Sequence, residues 1–287
     1  MQVRRFQTRV VSWYKKHGRH SLPWRLPAGR QEKQFDPYRI LVSELMLQQT
    51  QVARVIMKYQ SFVRSFPTVR SLARAKTPEL LRAWQGLGYN RRALYLREAA
   101  RKVVHDYDGR VPQSVRALES FPGVGPATAR AVAVFAWNSP EIFLETNIRR
   151  VYIHHFFKKR RRVLDRDILP ILQKTLYREN PRMWYSALMD YGSTLGTTLR
   201  RAQSKNPNRK SARYTKQSRF LGSQRYARAK ILSYLLRKRG ATSRDIAVYV
   251  SGVPALRTHK KNLGRVLFSL EREGFLKRRG GNWKIAP

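Results

Sequence analysis

The sequence of 287 residues contains no cysteine and few acidic residues. Without cysteine, disulfide bonds, zinc sites with thiolate ligands and thiolate-held iron–sulfur clusters are excluded. Asp and Glu number 17 against 60 Lys and Arg, which gives a formal net charge of +43. So large an excess favours a polyanionic partner, because each neutralised phosphate releases a counterion. The charge therefore indicates nucleic acid without distinguishing DNA from RNA; a ribosome-associated protein or a solubility adaptation are the alternatives.

Long apolar runs are absent as well. Residues 1–9 are basic but lack the apolar stretch of a signal peptide, and no segment is long and apolar enough to span a membrane. We therefore expect a soluble, cytoplasmic protein without a membrane partner. Hydrophobic residues make up 42% of the chain, which is normal for a globular protein. The length suffices for a main domain and a smaller one.

Alternating strand patterns are almost absent before the C-terminal part, whereas helix signals are frequent. Asp36-Pro37 and Asn180-Pro181 each combine an N-cap residue with proline at the first helical position. Apolar residues recur at helical spacing in segments such as 80–84 and 148–155. The first two-thirds of the chain are therefore predicted to be all-α.

Basic residues dominate the segment that follows. Residues 191–244 contain no acidic residue, and within them residues 201–223 are rich in Ser, Asn and Gly. We interpret residues 201–223 as a basic linker or an arm extended on a nucleic acid. The alternative is a disordered tail, although Tyr214 and Phe220 argue against complete disorder.

A different pattern begins at residue 224. A helix is predicted at about 224–239, a shorter one after Ser243, and a third at about 257–273. Two short strands should follow around a turn at Gly280-Gly281-Asn282. Three helices and a β-hairpin resemble a winged-helix domain, so residues 224–287 are predicted to form one.

The third helix of this predicted domain is basic. Such domains often bind DNA through that helix, and His259, Lys260, Lys261 and Arg265 favour this interpretation. A protein-interaction module is the alternative, because a fold does not fix a function.

The run Phe121-Pro-Gly-Val-Gly-Pro-Ala-Thr128 lies between two helical stretches. Gly123 and Gly125 permit a tight turn and close approach of the backbone, with Val124 between them, to a ligand. The turn leads into a helix that begins near Ala127, whose free N–H groups can hold a DNA phosphate without recognising sequence. The run, including Thr128, therefore predicts a helix-hairpin-helix motif.

Further motifs lie between about Trp13 and Gly196. They are Leu22-Pro-Trp-Arg25, Val42-Ser-Glu-Leu-Met-Leu-Gln-Gln-Thr-Gln-Val52, Gly86-Leu-Gly-Tyr-Asn-Arg-Arg-Ala93 and Met189-Asp-Tyr-Gly192. With the hairpin, these motifs resemble those of the helix-hairpin-helix glycosylases related to endonuclease III, and most closely the MutY adenine glycosylases.

The resemblance implies a mainly α fold of the HhH-GPD type, with two helical subdomains on either side of a DNA cleft. The glycosylase domain is then expected at residues 1–200. Its six-helix part, which includes the hairpin, spans about 29–138, and its second part joins residues 1–28 to 139–200. The winged-helix-like domain follows the basic linker.

Glu44 lies in the apolar stretch Ile40-Leu-Val-Ser-Glu-Leu-Met-Leu47, which predicts a buried helix. A carboxyl group there is costly unless it is paired, neutral or functional, and desolvation raises its pKa. The residues alone leave two interpretations open, a general acid or a salt bridge to an arginine. The resemblance implies the first, since the matching glutamate of MutY-like enzymes protonates the extruded adenine.

A second carboxylate is expected beside the sugar, because cleavage of an N-glycosidic bond passes through an oxocarbenium-like state that an anion stabilises. The family places an aspartate there, and Glu145 occupies the position here, with Asn147 also matching. The added methylene moves the carboxylate by roughly 1.5 Å. We expect Glu145 to replace the aspartate and Asn147 to support the pocket. The alternatives are an acid that only favours a helix N-terminus, and Asp190 as the second carboxylate.

The resemblance also assigns residues that open the duplex and hold the base. Gln49, with Leu47 beside it, and Tyr89 match the wedge that fills the gap left by a flipped base. The residues that match the base pocket are Trp24, Arg25 and Asp190.

Two family features are missing. Ala127 stands where relatives that also cut the backbone have a Schiff-base lysine, which predicts a monofunctional, water-using reaction. Gly196 stands where the first of four cluster-binding cysteines is expected, so we expect no iron–sulfur cluster and no other cofactor. A monovalent cation at the hairpin is compatible with the resemblance. Residues 224–287 stand where relatives carry a domain that helps to recognise 8-oxoguanine.

These observations predict a monofunctional DNA glycosylase of base excision repair. Its expected substrate is adenine opposite 8-oxoguanine or guanine in double-stranded DNA, and its expected state is a nucleoid-associated monomer. The alternatives are a glycosylase for mismatched thymine or uracil or for a damaged base, and a non-catalytic DNA-binding protein. The costly Glu44 carboxyl argues against the last.

Overall fold

The computed structural model describes residues 2–27, 35–215 and 219–287. The subdomain boundary predicted at residues 28 and 29, and residues 216–218 of the predicted linker, lie outside the described residues. The chain divides into two compact units. The first unit comprises Met1–Glu44, Pro112–Ser120 and Val124–Lys216, and the second comprises Leu45–Val111, Phe121–Gly123 and Gln217–Pro287.

Helices account for most of the described residues. In chain order the α-helices are α1 (Gln2–His17), α2 (Pro37–Leu47), α3 (Val52–Ser65), α4 (Val69–Ala73), α5 (Thr77–Trp84), α6 (Arg91–Asp106), α7 (Val115–Glu119), α8 (Pro126–Trp137), α9 (Thr146–Phe156), α10 (Asp165–Thr175), α11 (Pro181–Arg201), α12 (Gln224–Lys238), α13 (Ser243–Gly252) and α14 (Leu263–Arg272). Short 3-10 helices lie at Pro23–Arg25, Pro207–Lys210 and Pro254–Asn262. The strands are β1 (Ala241–Thr242), β2 (Leu276–Arg279) and β3 (Asn282–Ile285). In the described ranges every strand lies in the C-terminal part, which confirms the all-α prediction for the first two-thirds.

The core of the first unit forms where α9 packs against α11 and α1. Tyr152 of α9 and Trp184 of α11 are fully buried. Phe6 of α1 meets both edge-on, with ring centroids 5.5 and 5.9 Å away, an arrangement that aromatic rings favour. The residues just before α9 are therefore held by a well-packed core.

Helix α2 begins as the sequence predicts. The Oδ1 atom of Asp36 accepts a hydrogen bond from the backbone N–H of Tyr38 at 2.9 Å, which satisfies one of the free donors of the first turn. Ile40, Leu41 and Val42 are 3% exposed or less. The predicted burial of this helix is confirmed. Its last three residues belong to the second unit.

The second unit joins α3–α6 to the C-terminal residues. Helices α12–α14 and a three-stranded antiparallel sheet with the order β1-β3-β2 form the C-terminal domain. Gly280 and Gly281 both have positive φ, 52° and 78°, as a two-residue hairpin turn requires. The predicted β-hairpin is confirmed.

The prediction of the third helix of this domain is wrong in part. Instead of one helix at about 257–273, residues 254–262 form a 3-10 helix and α14 begins only at Leu263. Residues 257–262 contribute no buried apolar side chain, so the regular α-helix lacks the packed face that would stabilise it.

Part of the predicted linker packs on the first unit. Asn208, within Pro207–Lys210, is 4% exposed, and its Nδ2 donates to the carbonyl of Thr146 at 3.0 Å. The N–H of Val163 donates to the carbonyl of Lys210 at 2.8 Å. These contacts tie the segment to the start of α9 and to the residues just before α10.

Among the residues that the structure describes, no helix combines the length and the apolarity needed to cross a membrane.

Candidate active site

Glu44 lies on α2 between two fully buried residues, Ser43 and Leu45, but its own side chain keeps partial access to solvent. No hydrogen bond or ion pair reaches its carboxyl group from any part of the chain that the structure describes. The salt bridge to an arginine that the sequence left open is therefore not formed with a described residue.

The carboxyl group of Glu44 is held neutral by its surroundings. Burial, assisted by the negative charge of Glu145 and opposed by the positive charge of Arg25, raises the pKa of Glu44 from 4.5 to about 8. At neutral pH the group therefore carries its proton. A protonated carboxyl group whose pKa lies near the working pH is suited to general acid catalysis.

Glu145 is the N-cap residue of α9. Its Oε1 atom accepts hydrogen bonds from the backbone N–H groups of Asn147 and Ile148 at 2.7 and 2.8 Å. Burial raises the pKa of Glu145, while these two donors and the nearby positive charge of Arg150 act against the rise. The N-cap role and a catalytic role are compatible, because Oε1 serves the helix and Oε2 makes only a long contact, 3.4 Å, with the Asn147 side chain.

The side chain of Asn147 is held in place by Arg150. Arg150 donates through Nη1 to Asn147 Oδ1 at 2.8 Å and to the carbonyl of Gly192 on α11 at 2.7 Å. A Cβ atom at position 192 would lie 2.3 Å from the carbonyl oxygen of Asn147, so only glycine allows α11 to approach this closely. Gly192 and Arg150 thus hold the Asn147 side chain beside Glu145.

The surroundings of the Glu44 and Glu145 carboxyl groups differ in the hydrogen-bond donors that they offer to the charged form. Glu44 lacks stabilising donors among described residues and is neutral, whereas Glu145 accepts N–H groups that favour its charged form. Environments that separate the behaviour of two carboxyl groups identify the acid and the anion of a catalytic pair. In the first unit, Glu44 therefore has the surroundings of an acid, whereas Glu145 has backbone donors that oppose the rise of its pKa by burial.

Asp190 of α11 has another environment. Arg19 donates to its Oδ1 at 2.5 and 2.9 Å, and Arg25 donates to Oδ2 and Oδ1 at 2.7 and 3.0 Å. Burial would raise the pKa of Asp190, but the hydrogen bonds and charges of Arg25 and Arg19 hold it below its ordinary value. With its oxygens bound in this way, Asp190 serves to position Arg25.

An open cavity of about 460 Å³ lies in the first unit beside α2. Tyr14, Trp24 and Phe35 supply aromatic surface to its lining, and Arg25 supplies a charged group. Ile40 also lines the cavity, and it stands one helical turn before Glu44 on the same face of α2. Of the three residues that match the family's base pocket, Trp24 and Arg25 line this cavity, whereas Asp190 is not part of the lining and binds Arg25.

The hairpin has the predicted form. Gly123 has a φ of +77°, and a Cβ atom there would lie 2.9 Å from the Tyr95 side chain. Gly125 is the N-cap of α8 and Pro126 its first residue, one position before the predicted start. Val124 is buried, Thr128 is half-buried, and the tip at residues 125–127 is exposed, with the first N–H groups of α8 near the surface. Such a helix end can bind a phosphate.

The wedge residues lie in the second unit. Gln49 and Tyr89 both adopt the left-handed backbone region, with φ values of 54° and 47°, which non-glycine residues rarely occupy. Leu47 ends α2 two residues before Gln49. Backbone strain of this kind is often found at binding sites.

One arginine holds both wedge segments, and the sequence analysis did not single it out. The guanidinium of Arg92 donates to the carbonyls of Leu45 and Met46 at 2.7 and 2.9 Å, and to that of Gly88 at 3.0 Å. It also lies over the Tyr89 ring, 5.5 Å from the centroid. Its place in the Gly86–Ala93 motif was the available signal, but nothing in the sequence separates this buried arginine from the exposed ones.

The basic residues predicted on the third helix of the C-terminal domain are exposed but lie on two elements. Lys260 and Lys261 belong to the 3-10 helix, and Arg265 belongs to α14. His259 instead makes a hydrogen bond of 2.8 Å with the carbonyl of Gly222.

The region around Gly196, where the resemblance places an iron–sulfur cluster, does not fit such a group. The chain has no thiolate, and in the described residues no group of three or more His, Asp or Glu side chains could hold a metal ion. Gly196 packs against Arg150, because a Cβ atom there would lie 2.8 Å from the guanidinium carbon. Arg150 also contacts Asn206 at 3.4 Å, so polar packing occupies this region.

Comparisons with known proteins agree with this geometry. A family model described as HhH-GPD superfamily base excision DNA repair protein matches residues 42–170. The adenine DNA glycosylase of Mycobacterium tuberculosis is 39% identical over 193 residues, which cover 66% of this chain and 61% of that protein. The corresponding protein of Mycolicibacterium smegmatis is 44% identical over 142 residues, covering 50% and 46%. The human adenine DNA glycosylase is 40% identical over 155 residues, covering 52% and 28%.

The chain thus spans less than two thirds of the length of these relatives.

Solved structures share its fold. A thermostable thymine-DNA glycosylase superposes with a TM-score of 0.57 at 24% identity, over 67% of this chain and 86% of that one. Endonuclease III in a non-covalent DNA complex gives 0.52 at 20% identity, over 68% and 85%. The predicted mainly α HhH-GPD fold is confirmed. Residues 42–170 thus match the HhH-GPD superfamily model, and about two thirds of the chain is similar to an adenine DNA glycosylase.

Proposed function

We propose that this protein is a monofunctional DNA glycosylase of base excision repair that releases adenine paired with 8-oxoguanine or guanine. The observation that carries the proposal is the pair of carboxyl groups in the first unit: a neutral acid at Glu44 and an N-capping carboxylate at Glu145. The similarity to adenine DNA glycosylases supports the choice of base.

The two carboxyl groups suit the two charges of the reaction. Glu44 donates its proton to a ring nitrogen of the adenine, which makes the base a better leaving group. As the bond from the sugar carbon to the base nitrogen breaks, positive charge develops on the sugar, and the carboxylate of Glu145 stabilises it. A water molecule then adds to the sugar carbon, and the proton that it loses restores neutral Glu44. The products are adenine and an abasic site.

The substrate must be presented outside the duplex, because the reacting bond is otherwise out of reach. On this proposal the hairpin tip binds a phosphate, and the aromatic cavity with Trp24 and Arg25 holds the flipped base. Gln49 and Tyr89 fill the space that the base leaves. The enzyme acts as a monomer on mismatched double-stranded DNA and is therefore associated with the nucleoid. It needs no cofactor and has no lyase activity.

A glycosylase assay on a panel of duplexes tests the proposal. The panel holds adenine opposite 8-oxoguanine, guanine, cytosine and thymine, with thymine–guanine and uracil–guanine mismatches and methylated bases as further arms. Alkali then cleaves each abasic site, so base release is read as strand cutting. We expect cutting with adenine opposite 8-oxoguanine or guanine, and only after alkali. Release of thymine, uracil or a damaged base alone would contradict the assigned base, and binding without release from any duplex would contradict the enzymatic function.

A further inference from the structure

Residues 206–212, which follow α11 in the first unit, form an ordered segment beside α9. Asn206 caps the 3-10 helix of this segment, since its Oδ1 accepts a hydrogen bond from the backbone N–H of Asn208 at 3.1 Å. At the other end, the N–H of Ala212 donates to the carbonyl of Val163, just before α10, at 3.0 Å. The segment is therefore fixed at both ends by hydrogen bonds.

The buried side chain of Asn208 reaches the residue next to Glu145. Its Nδ2 donates to the carbonyl of Thr146, the first residue of α9, at 3.0 Å. No donor from the described residues reaches its Oδ1, although that atom is buried. An unpaired buried acceptor costs free energy, which an apolar side chain of similar size would avoid. The contribution of an amide at this position is therefore the Nδ2 contact with the start of α9.

Asn206 reaches the same turn through Arg150. Its Oδ1 accepts a long hydrogen bond, 3.4 Å, from Nε of Arg150, whose Nη1 donates to Asn147 Oδ1 at 2.8 Å. Gly196 of α11 leaves room for this guanidinium, because a Cβ atom there would lie 2.8 Å from Nη1. Helix α11 and Asn206 together confine the Arg150 side chain, and through it the Asn147 side chain beside Glu145.

We propose that Asn206 and Asn208 are positioning residues that hold the first turn of α9, and with it the carboxylate of Glu145, in the geometry of the reaction. The inference rests on the proposed function, in which that carboxylate stabilises the charge of the sugar. Asn208 acts through the backbone of Thr146, and Asn206 acts through Arg150. A displacement of about 1 Å at the reacting groups slows a reaction by up to about a hundredfold, so small shifts of this turn affect the rate.

The charge state of Glu145 depends on the same turn. The backbone N–H groups of Asn147 and Ile148 donate to its Oε1 and oppose the rise of its pKa that burial causes. Two cations of its own helix and one acid of α2 act on this carboxylate by their charge: Arg149, Arg150 and Glu44. A looser turn weakens the two backbone donors, so the pKa of Glu145 should rise when the segment no longer holds the turn.

Asn206→Ala and Asn208→Ala test the proposal in the full-length protein. We expect each variant to release adenine opposite 8-oxoguanine about tenfold to about a hundredfold more slowly than the wild type, in single turnovers at saturating enzyme. Kd for a duplex with a tetrahydrofuran abasic analogue should stay unchanged. The acidic limb of the pH–rate profile should move to higher pH, as should the carbon NMR titration of the Glu145 carboxyl group.

Two further variants separate positioning from general stability. Asn206→Asp keeps an oxygen acceptor for Arg150 and should keep the wild-type rate and profile. Ile168→Val removes one methylene group from a fully buried side chain of α10, which lowers stability while both asparagines remain. It should also keep the wild-type rate and profile.

Hydrogen exchange of the wild type tests the coupling without any variant. In low concentrations of urea, the amides of Asn147 and Ile148 should show the same free energy of opening as that of Ala212, because the turn and the segment open together. An Ala212 amide that opens while those of Asn147 and Ile148 stay protected would show that the segment does not hold the turn. This result decides the question if neither alanine variant folds.

Two other results would overturn the proposal: folded alanine variants with the wild-type rate and acidic limb, or an Ile168→Val protein that loses as much rate as they do. The NMR and exchange measurements need no base release. A wild type that releases no base would contradict the proposed function, whereas a pKa of Glu145 that rises in the alanine variants would still support the positioning of the turn.

Discussion

Raising the pH from about 7 to about 9 should slow base release, because Glu44 holds the proton that it donates with a pKa of about 8. Burial is the largest cause of that value, and the charge of Glu145 adds to it. The rise from 4.5 to about 8 corresponds to about 5 kcal/mol between the two protonation states. The protonated fraction of Glu44 is then about 0.9 at pH 7 and about 0.1 at pH 9, so the single-turnover rate should fall about tenfold.

The acidic side of the profile belongs to Glu145. Burial raises the pKa of Glu145 as well, and below that pKa the carboxylate that balances the charge of the sugar is lost. The rate should therefore fall towards low pH too, which gives a bell-shaped profile.

Single-turnover rates with enzyme in excess over an adenine-containing duplex, from about pH 5 to about pH 10, give this profile. A carbon NMR titration of the Glu44 carboxyl group in the free protein gives its pKa directly. Glu79→Gln is a matched control, since Glu79 is exposed on α5 and its loss should leave the profile unchanged. A Glu44 carboxyl group that titrates near 4.5, together with a rate that is flat from pH 7 to 9, would refute the assignment of the acid.

Four further outcomes are expected. Between about pH 4.5 and about pH 8, Glu44 loses its proton in the unfolded protein but keeps it in the folded one, so the free energy of unfolding falls as the pH rises. Glu44→Gln, which cannot ionise, should therefore have a free energy of unfolding in urea up to about 3 kcal/mol higher than the wild type at pH 7. Equal free energies at pH 7 would contradict the burial argument. Glu145→Gln should lose several orders of magnitude in single-turnover rate and Glu145→Asp should lose less, whereas a near wild-type Glu145→Gln rate would place the anion elsewhere. Borohydride should trap no covalent complex with DNA, because Ala127 has no amine; a trapped complex with efficient strand cutting would disprove the monofunctional reaction. Lys260→Ala with Arg265→Ala should weaken DNA binding, as read from anisotropy, while leaving the rate at saturating enzyme unchanged; unchanged affinity would remove the 3-10 helix and α14 from the DNA contact.

Local features of the fold could be predicted because their physical causes lie within a few residues. The N-cap at Asp36 and the turn at Gly280-Gly281 each depend on side chains or φ values of the segment itself. The hairpin at residues 121–128 is of the same kind. The third helix of the C-terminal domain was predicted wrongly, because basic residues at 257–262 can extend a helical pattern in sequence without supplying the buried face that maintains it.

The partners of the site residues could not be predicted in the same way. Asp190 binds Arg25 across 165 positions of sequence, and Arg225 binds Tyr89 across 136, so no local pattern connects them. Among 60 basic residues, sequence alone does not identify Arg92 as a buried one. Glu145 is an intermediate case: the sequence offered its helix-capping role as one of two interpretations, and the structure adds that Oε2 makes only a long contact, 3.4 Å, with the Asn147 side chain.

The comparison of wild type with Glu44→Gln on a duplex with adenine opposite 8-oxoguanine tests the central claim most directly. Enzyme is in excess, base release is read after alkali, and Kd is measured for the same duplex by anisotropy. We expect the variant to bind the duplex nearly as well as the wild type and to release no measurable adenine, because an amide of the same shape has no proton to donate to the base. A folded Glu44→Gln protein that releases adenine at the wild-type rate would contradict the account.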